Sequence, residues 1–199
     1  MSTMDWPAAR IFAPASMAFG LKKAVLQSRS PYSGSVLPTD LAAERWLLSI
    51  TLPPVVPSES AAREAFLTRL SGGSNWVRVW HMQRPVPLGT MRGNPTLKSA
   101  VARGAKTLTI STTSGATLMA GDLFGLGGQL FMNATDAVAD GSGNLAVEVV
   151  NRVRKAITSG AGVTWNKPTA DFMLPADSVL SQYQPGYADS LAIDLEEVW

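Results

Sequence analysis

The stretch from Lys106 to Leu174 constrains the fold more than any other part of the chain, because turn residues interrupt it every few positions and each piece between them reads as strand. KTLTIST, TLMAGDLFGLGGQLFM, NLAVEVV and GVTWNKPTADFML are separated by Ser114-Gly115, Gly121-Asp122, Gly127-Gly128, Asp140-Gly141-Ser142-Gly143 and Ser159-Gly160. Segments this short leave no room for crossover helices, so a small antiparallel barrel or sandwich is expected. A scaffold of that kind names no function by itself.

Before this stretch, Pro14 and Gly20 break the apolar run Ile11 to Gln27, which predicts two strands, near Ala15 to Phe19 and Ala24 to Gln27. Ser28 to Ser35 reads as loop. Arg45 to Leu52 mixes aromatic and β-branched residues and reads as a strand that must stop at Pro53. A helix over 58–71 follows: Ser58 can cap it, Glu59 suits the positive end of its dipole, and Ala62, Phe66 and Leu70 fall on one apolar face. Gly72-Gly73 ends it, one of them in the left-handed conformation. Trp76 to Met82 alternates Trp76, Arg78 and Trp80 against Val77, Val79 and His81, as a strand does.

Gln83 to Pro95 holds three prolines and two glycines and reads as a linker. Near the end, Leu191, Ile193 and Leu195 alternate with Ala192, Asp194 and Glu196 in a last strand. The proline-rich crossings divide the chain in two. Residues 1–84 and 178–199 are expected to form a β-sandwich flanked by helix 58–71, with residues 98–175 inserted as a small antiparallel β-barrel-like domain.

With 46% hydrophobic and 16% charged residues among 199, the chain can bury a core. Its net charge of +2 is spread without runs, so no footprint of a sequence-specific nucleic-acid binder is present. The absence of cysteine removes disulfides, thiolate metal sites and cysteine nucleophiles, and fits synthesis in a reducing cytoplasm. The opening MSTMDWPAARIFAP has an acid and a proline where a signal peptide needs a basic start and apolar core, and no apolar run reaches membrane-spanning length. Neither secretion by the usual route nor membrane insertion is expected.

Candidate chemistry is sparse. His81 is the single histidine; it lies in a strand pattern with no nucleophile motif nearby, so a structural role is expected. Asp140-Gly-Ser-Gly-Asn144 begins like a calcium loop, but its twelfth position is Asn151 where a bidentate Glu is required, so a tight connection explains it better. Gly125-Leu-Gly127-Gly128 lacks the lysine of a phosphate loop and opens a strand, which makes it a hairpin. Asn133-Ala-Thr135 matches a glycosylation acceptor without a secretory context. The acids Asp122, Asp136, Asp171, Asp177, Asp189, Asp194, Glu196 and Glu197 could include a glycosidase pair. Arg152, Arg154 and Lys155, with Arg84 and Arg92, could line a basic surface, although solvated charge is the simpler reading. No catalytic, cofactor or metal residue is assigned. The candidate interface is aromatic and basic: Trp6, Trp46, Trp76, Trp80, Arg84 and Arg92.

Several strings read together carry a resemblance: SPYSGS at 30–35, RW and LPP within 45–54, AFLTRLSGG at 65–73, GTMRGNPTL at 89–97, GAKTLTI at 104–110, GATLMAGDLFGLGGQLFM at 115–132, DAVADGSGN at 136–144 followed by NRVRKAI, and VTWNKPTADFML. Their arrangement, over most of the chain, resembles the tail structural proteins of tailed bacteriophages, of the distal tail or minor tail kind. The resemblance implies a non-enzymatic virion component, made in the host bacterial cytoplasm. Its sandwich and helix would form a homo-oligomeric ring, and its inserted domain would face neighbouring tail proteins. A carbohydrate-binding module using Trp165, or Tyr183 and Tyr187, as stacking platforms is a second reading, and an envelope-degrading hydrolase a third.

Overall fold

The computed structural model describes residues 2–41, 43–175 and 179–199. In chain order the first elements are β1 (Thr3–Asp5), β2 (Ser16–Lys22), β3 (Val25–Arg29), β4 (Val36–Asp40), β5 (Arg45–Leu52), helix α1 (Pro57–Leu70) and β6 (Trp76–Trp80). Then come β7 (Thr96–Leu97), β8 (Thr107–Ser111), β9 (Thr117–Leu118), β10 (Leu123–Leu126), β11 (Gln129–Met132), β12 (Ala137–Val138) and β13 (Asn144–Glu148). The last are β14 (Val163–Thr164), β15 (Thr169–Met173), β16 (Tyr183–Gln184), β17 (Tyr187–Ala188) and β18 (Leu191–Glu197). The protein is mainly β with one α-helix among the described residues, and its strands form several separate sheets, none closed into a barrel. No helix among the described residues is long and apolar enough to cross a membrane.

The chain divides into two compact units, one of Met1–Leu21, Arg45–Val79 and Ala170–Trp199, the other of Lys22–Glu44 and Trp80–Thr169. The sequence reading drew its boundaries at 84, 98, 175 and 178 and kept residues 22–44 with the flanking segments.

The first unit is built on a six-stranded sheet of order β1-β6-β15-β18-β5-β2. Alternation along β5 buries Trp46, Leu48, Ile50 and Leu52, and the antiparallel register sets Leu48 opposite Leu195 and Ile50 opposite Ile193, both also buried. Helix α1 starts one residue earlier than expected. Pro57 occupies its first turn, Val56 precedes it, and Ser58 makes no cap bond, because a proline at the first helical position already presets the backbone and has no N–H to satisfy.

The buried stripe of α1 is also displaced from the expected one. Ser60, Arg63, Leu67 and Leu70 face inward, while Ala62 is exposed and Phe66 is half-buried. The shift is dictated by Arg63, whose guanidinium donates to the carbonyls of Ile11 (3.1 and 2.6 Å) and Pro53 (2.7 Å). Burial lowers its pKa from the usual value, with Glu59 opposing the effect. Phe66 lies at the margin of the stripe, edge-to-face with Trp6 (5.8 Å) and Phe12 (5.2 Å). Gly72, at φ 71°, ends the helix in the left-handed conformation as expected.

In the second unit, β10 and β11 form a hairpin whose register sets Leu126 opposite Gln129. Its two-residue turn is Gly127-Gly128, with φ 59° and 78°, the signs a type I′ connection needs. Phe124 and Phe131, stacked at 5.6 Å, centre a core with Leu97, Ile110, Leu118, Leu145 and Val147.

Gln83 to Pro95, read from composition as a linker, belongs to this core. Met91 is fully buried in it. Gly89 lies so close to β9 that a Cβ would sit 2.2 Å from the Thr117 carbonyl oxygen. The buried carboxylate of Asp122 holds the strip, accepting the backbone N–H groups of Leu88 (2.7 Å), Gly89 (2.9 Å) and Met119 (2.8 Å). Proline and glycine there report the absence of regular ladders, not the absence of packing.

Three substitutions test these arrangements by chemical denaturation. Phe66→Ala removes two aromatic contacts from a half-buried site and should cost about 3 kcal/mol, whereas Ala62→Ser should be close to neutral. Asp122→Ala strands three backbone donors and should cost about 3 kcal/mol, with faster amide exchange at Leu88 and Gly89.

Candidate interaction surface

The residues singled out as an aromatic and basic interface separate into two groups. Trp46 is 1% exposed and stacks on Phe19 at 4.7 Å, and Trp6 is 4% exposed, with its indole N–H on the Phe12 carbonyl (3.1 Å). Both are core side chains, which corrects their assignment to a surface; an aromatic count cannot distinguish a ring that packs from one that waits for a partner. Trp76 and Trp80 are half-buried on the face of β6 that also carries exposed Arg78, opposite buried Val77 and Val79. The Lys167 ammonium lies 5.3 Å from the Trp80 ring centroid.

Arg84 donates to the Gly121 carbonyl (3.1 Å). Arg92 donates to the carbonyls of Gly89, Met91 and Pro87 and lies 5.0 Å from the Trp165 ring centroid. These two arginines tie down the strip 83–95. Arg152 pairs with Asp40 (2.5 Å) and its backbone N–H donates to Glu44, while Arg154 donates to the Glu44 carbonyl (3.1 Å).

Most of the acids are engaged in structural bonds. Asp136 accepts from the Ala120 N–H, Asp171 pairs with Arg78, Asp189 accepts from Gln184, Glu196 pairs with Arg45, and buried Glu197 accepts the Trp46 N–H. Asp177 lies outside the described residues. His81 is half-buried and accepts the Arg84 N–H, and burial followed by the Arg84 charge lowers its pKa. Asn133 is 1% exposed and its amide donates to three carbonyls, so this side chain is not open to a glycan.

Of the stacking candidates, Trp165 is half-buried against the second core, with its indole N–H on the Gly93 carbonyl (2.8 Å). Tyr183 and Tyr187, on the hairpin β16–β17, are 52% and 39% exposed, and their hydroxyls bond Glu64 and Gln184.

The sequence reading missed a surface formed by the hairpin β3–β4. It anticipated a strand near β3 but left Val36–Asp40 unassigned, because Pro38 demotes a short run. Every residue of both strands is exposed. Val25, Leu26, Val36, Leu37, Leu41 and the turn residue Tyr32 make this the densest group of exposed large apolar side chains among the described residues. The usable signal was the spacing: two apolar runs flanking Ser30-Pro-Tyr-Ser-Gly-Ser35, a turn-rich hexapeptide.

No family model matches the chain, and no curated protein is significantly similar to it.

The connection at Asp140 gives a pH test. Asp140 accepts the N–H groups of Asn144 and Ser142 and the Asn144 amide, which lower its pKa together with the charge of Lys98. A depressed carboxyl pKa means that the turn's stabilisation is complete above the unfolded value and is lost as pH falls through the lower folded value. Amide resonances of Ser142 and Asn144 should therefore hold steady through mildly acidic pH and shift only below the ordinary aspartate range; a transition at or above that range contradicts the assignment.

Proposed function

We propose that this protein is a structural component of a bacteriophage tail, of the distal tail or baseplate assembly kind, that self-associates into a ring and connects the tail tube to neighbouring tail or fibre proteins. In this reading residues 1–84 and 178–199 act as a ring-forming β-sandwich and the segment 98–175 as a barrel-like module turned toward other virion proteins. The observation that carries the proposal is the exposed apolar hairpin β3–β4. A two-stranded ribbon is marginal alone, and this one presents leucine and valine side chains to water. Such a surface suits assembly into a larger particle. The acids and the histidine that catalysis would recruit are for the most part held in internal hydrogen bonds.

A carbohydrate-binding role is the second reading, favoured by the two exposed tyrosines on one hairpin, Tyr183 and Tyr187.

Size-exclusion chromatography with light scattering, followed by negative-stain microscopy, tests the first reading. Discrete, ring-shaped oligomers are expected as concentration rises. A strict monomer at the highest soluble concentration, together with glycan-induced quenching of tyrosine fluorescence, would move the assignment to the second.

A further inference from the structure

The ribbon β3–β4 has two unlike faces. Its register sets Leu26 opposite Thr39 and Ser28 opposite Leu37. Residues directly opposite share a face, and alternation brings Leu41 onto the same side. That face carries Leu26, Leu37 and Leu41, which are 60%, 69% and 56% exposed, and no charge. The other face carries Arg29 and Asp40, and Asp40 is fixed by Arg152 within the same unit. Asp40 is thus held within the unit, while Arg29, beside exposed Val25 and Val36 on that face, and the whole leucine side are left uncovered.

The ribbon's edges indicate how it works. The Leu41 N–H donates to Ala24 and the Ser30 N–H to Ser35, so by alternation the pair Gln27–Pro38 is non-hydrogen-bonded and the Pro38 nitrogen points outward. The outer edge of β4 therefore lacks a donor at its centre, which discourages addition of another strand. The ribbon is suited to pack through its leucine face.

A receiving surface lies on the six-stranded sheet of the first unit. Ala18 and Gly20 on the edge strand β2 are small, and Leu47 on β5 is 38% exposed. With Ser49 and Asp194 they line an open furrow of about 370 Å³ whose only charged residue is Asp194. Neither Arg29 nor Asp194 has an ion pair among the described residues. Arg29 sits on the ribbon's other face, but its long side chain can pass round the open β3 edge while its stem stays on apolar surface.

We infer that the leucine face of the β3–β4 ribbon of one molecule packs into the β2–β5 furrow of a second copy, with Arg29 meeting Asp194 at the rim. The contact joins two different surfaces, so each copy gives one and receives one, the head-to-tail geometry from which rings are made. The inference rests on the self-association proposed above and assigns its interface.

The chain has no cysteine, which permits a clean test by disulfide trapping. Leu37→Cys and Leu47→Cys are made as separate full-length chains, both at exposed positions, and mixed under mild oxidation. A disulfide-linked pair joining the two variants is expected in the mixture and not in either variant alone. Its yield should fall sharply with Arg29→Glu and recover when Asp194→Lys is added to the receiving chain. Leu26→Ser/Leu37→Ser should abolish association while leaving the circular dichroism of the monomer unchanged. If the unmodified chain associates but the mixed disulfide is absent, or Leu37→Cys links to itself as fast as to Leu47→Cys, this interface is wrong and the ring proposal survives. If the unmodified chain never associates, both fail.

Discussion

A backbone amide removed from water must find a partner, and in this protein short strands cannot supply enough of them. Several ladders of the second unit are two residues long, so buried side chains take over what longer strands would do. Asp122 collects three N–H groups around a strip with no ladder of its own. Asn151 bonds both the Leu130 carbonyl and the Met132 N–H, and Gln129 bridges the Arg152 carbonyl and the Arg154 N–H. In the first unit Arg63 performs the complementary task for the carbonyls of Ile11 and Pro53, which lie outside the sheet. These groups are costly to bury and more costly to orphan, which makes them the fixed points about which the apolar side chains pack.

That dependence explains what was legible in the sequence. Where the backbone satisfies itself, the pattern is local: β5 is bounded by its proline, the β10–β11 hairpin by its glycine pair, and β18 by its alternation. Where a distant side chain supplies the partner, the pattern is silent. Hydropathy places Ala62 and Phe66 inward because it cannot foresee a buried arginine in their place. The strip 83–95 looks like a tether because its anchoring carboxylate lies more than thirty residues away. Trp6 and Trp46 count as surface candidates only until their neighbours are known, and β4 escapes notice because a proline at a harmless outward position looks the same in sequence as one that breaks a ladder.

The distribution of unmet valence on the molecule is uneven in a way that bears on its role. Polar groups among the described residues are largely paired internally, whereas the densest group of exposed apolar side chains lies on one hairpin held through Asp40. Under the self-association proposed above, a surface that is apolar and shallow recognises its partner by shape.

The place of β18 in the first sheet has a consequence for how the protein comes into being. This strand, residues 191–197, lies between β15 and β5 and pairs one edge of β5 from Leu47 to Leu52, the other edge being taken by β2. During synthesis β5 leaves the ribosome about 140 residues ahead of it, an interval that takes roughly 7–30 s at ordinary elongation rates. The second unit has all its residues once Thr169 has emerged, whereas the leucine-rich edge of β5 must wait for the last strand. The nascent chain therefore passes through a stage in which one unit can be complete while the other still displays β5 with one edge open, a strand edge onto which another chain could add.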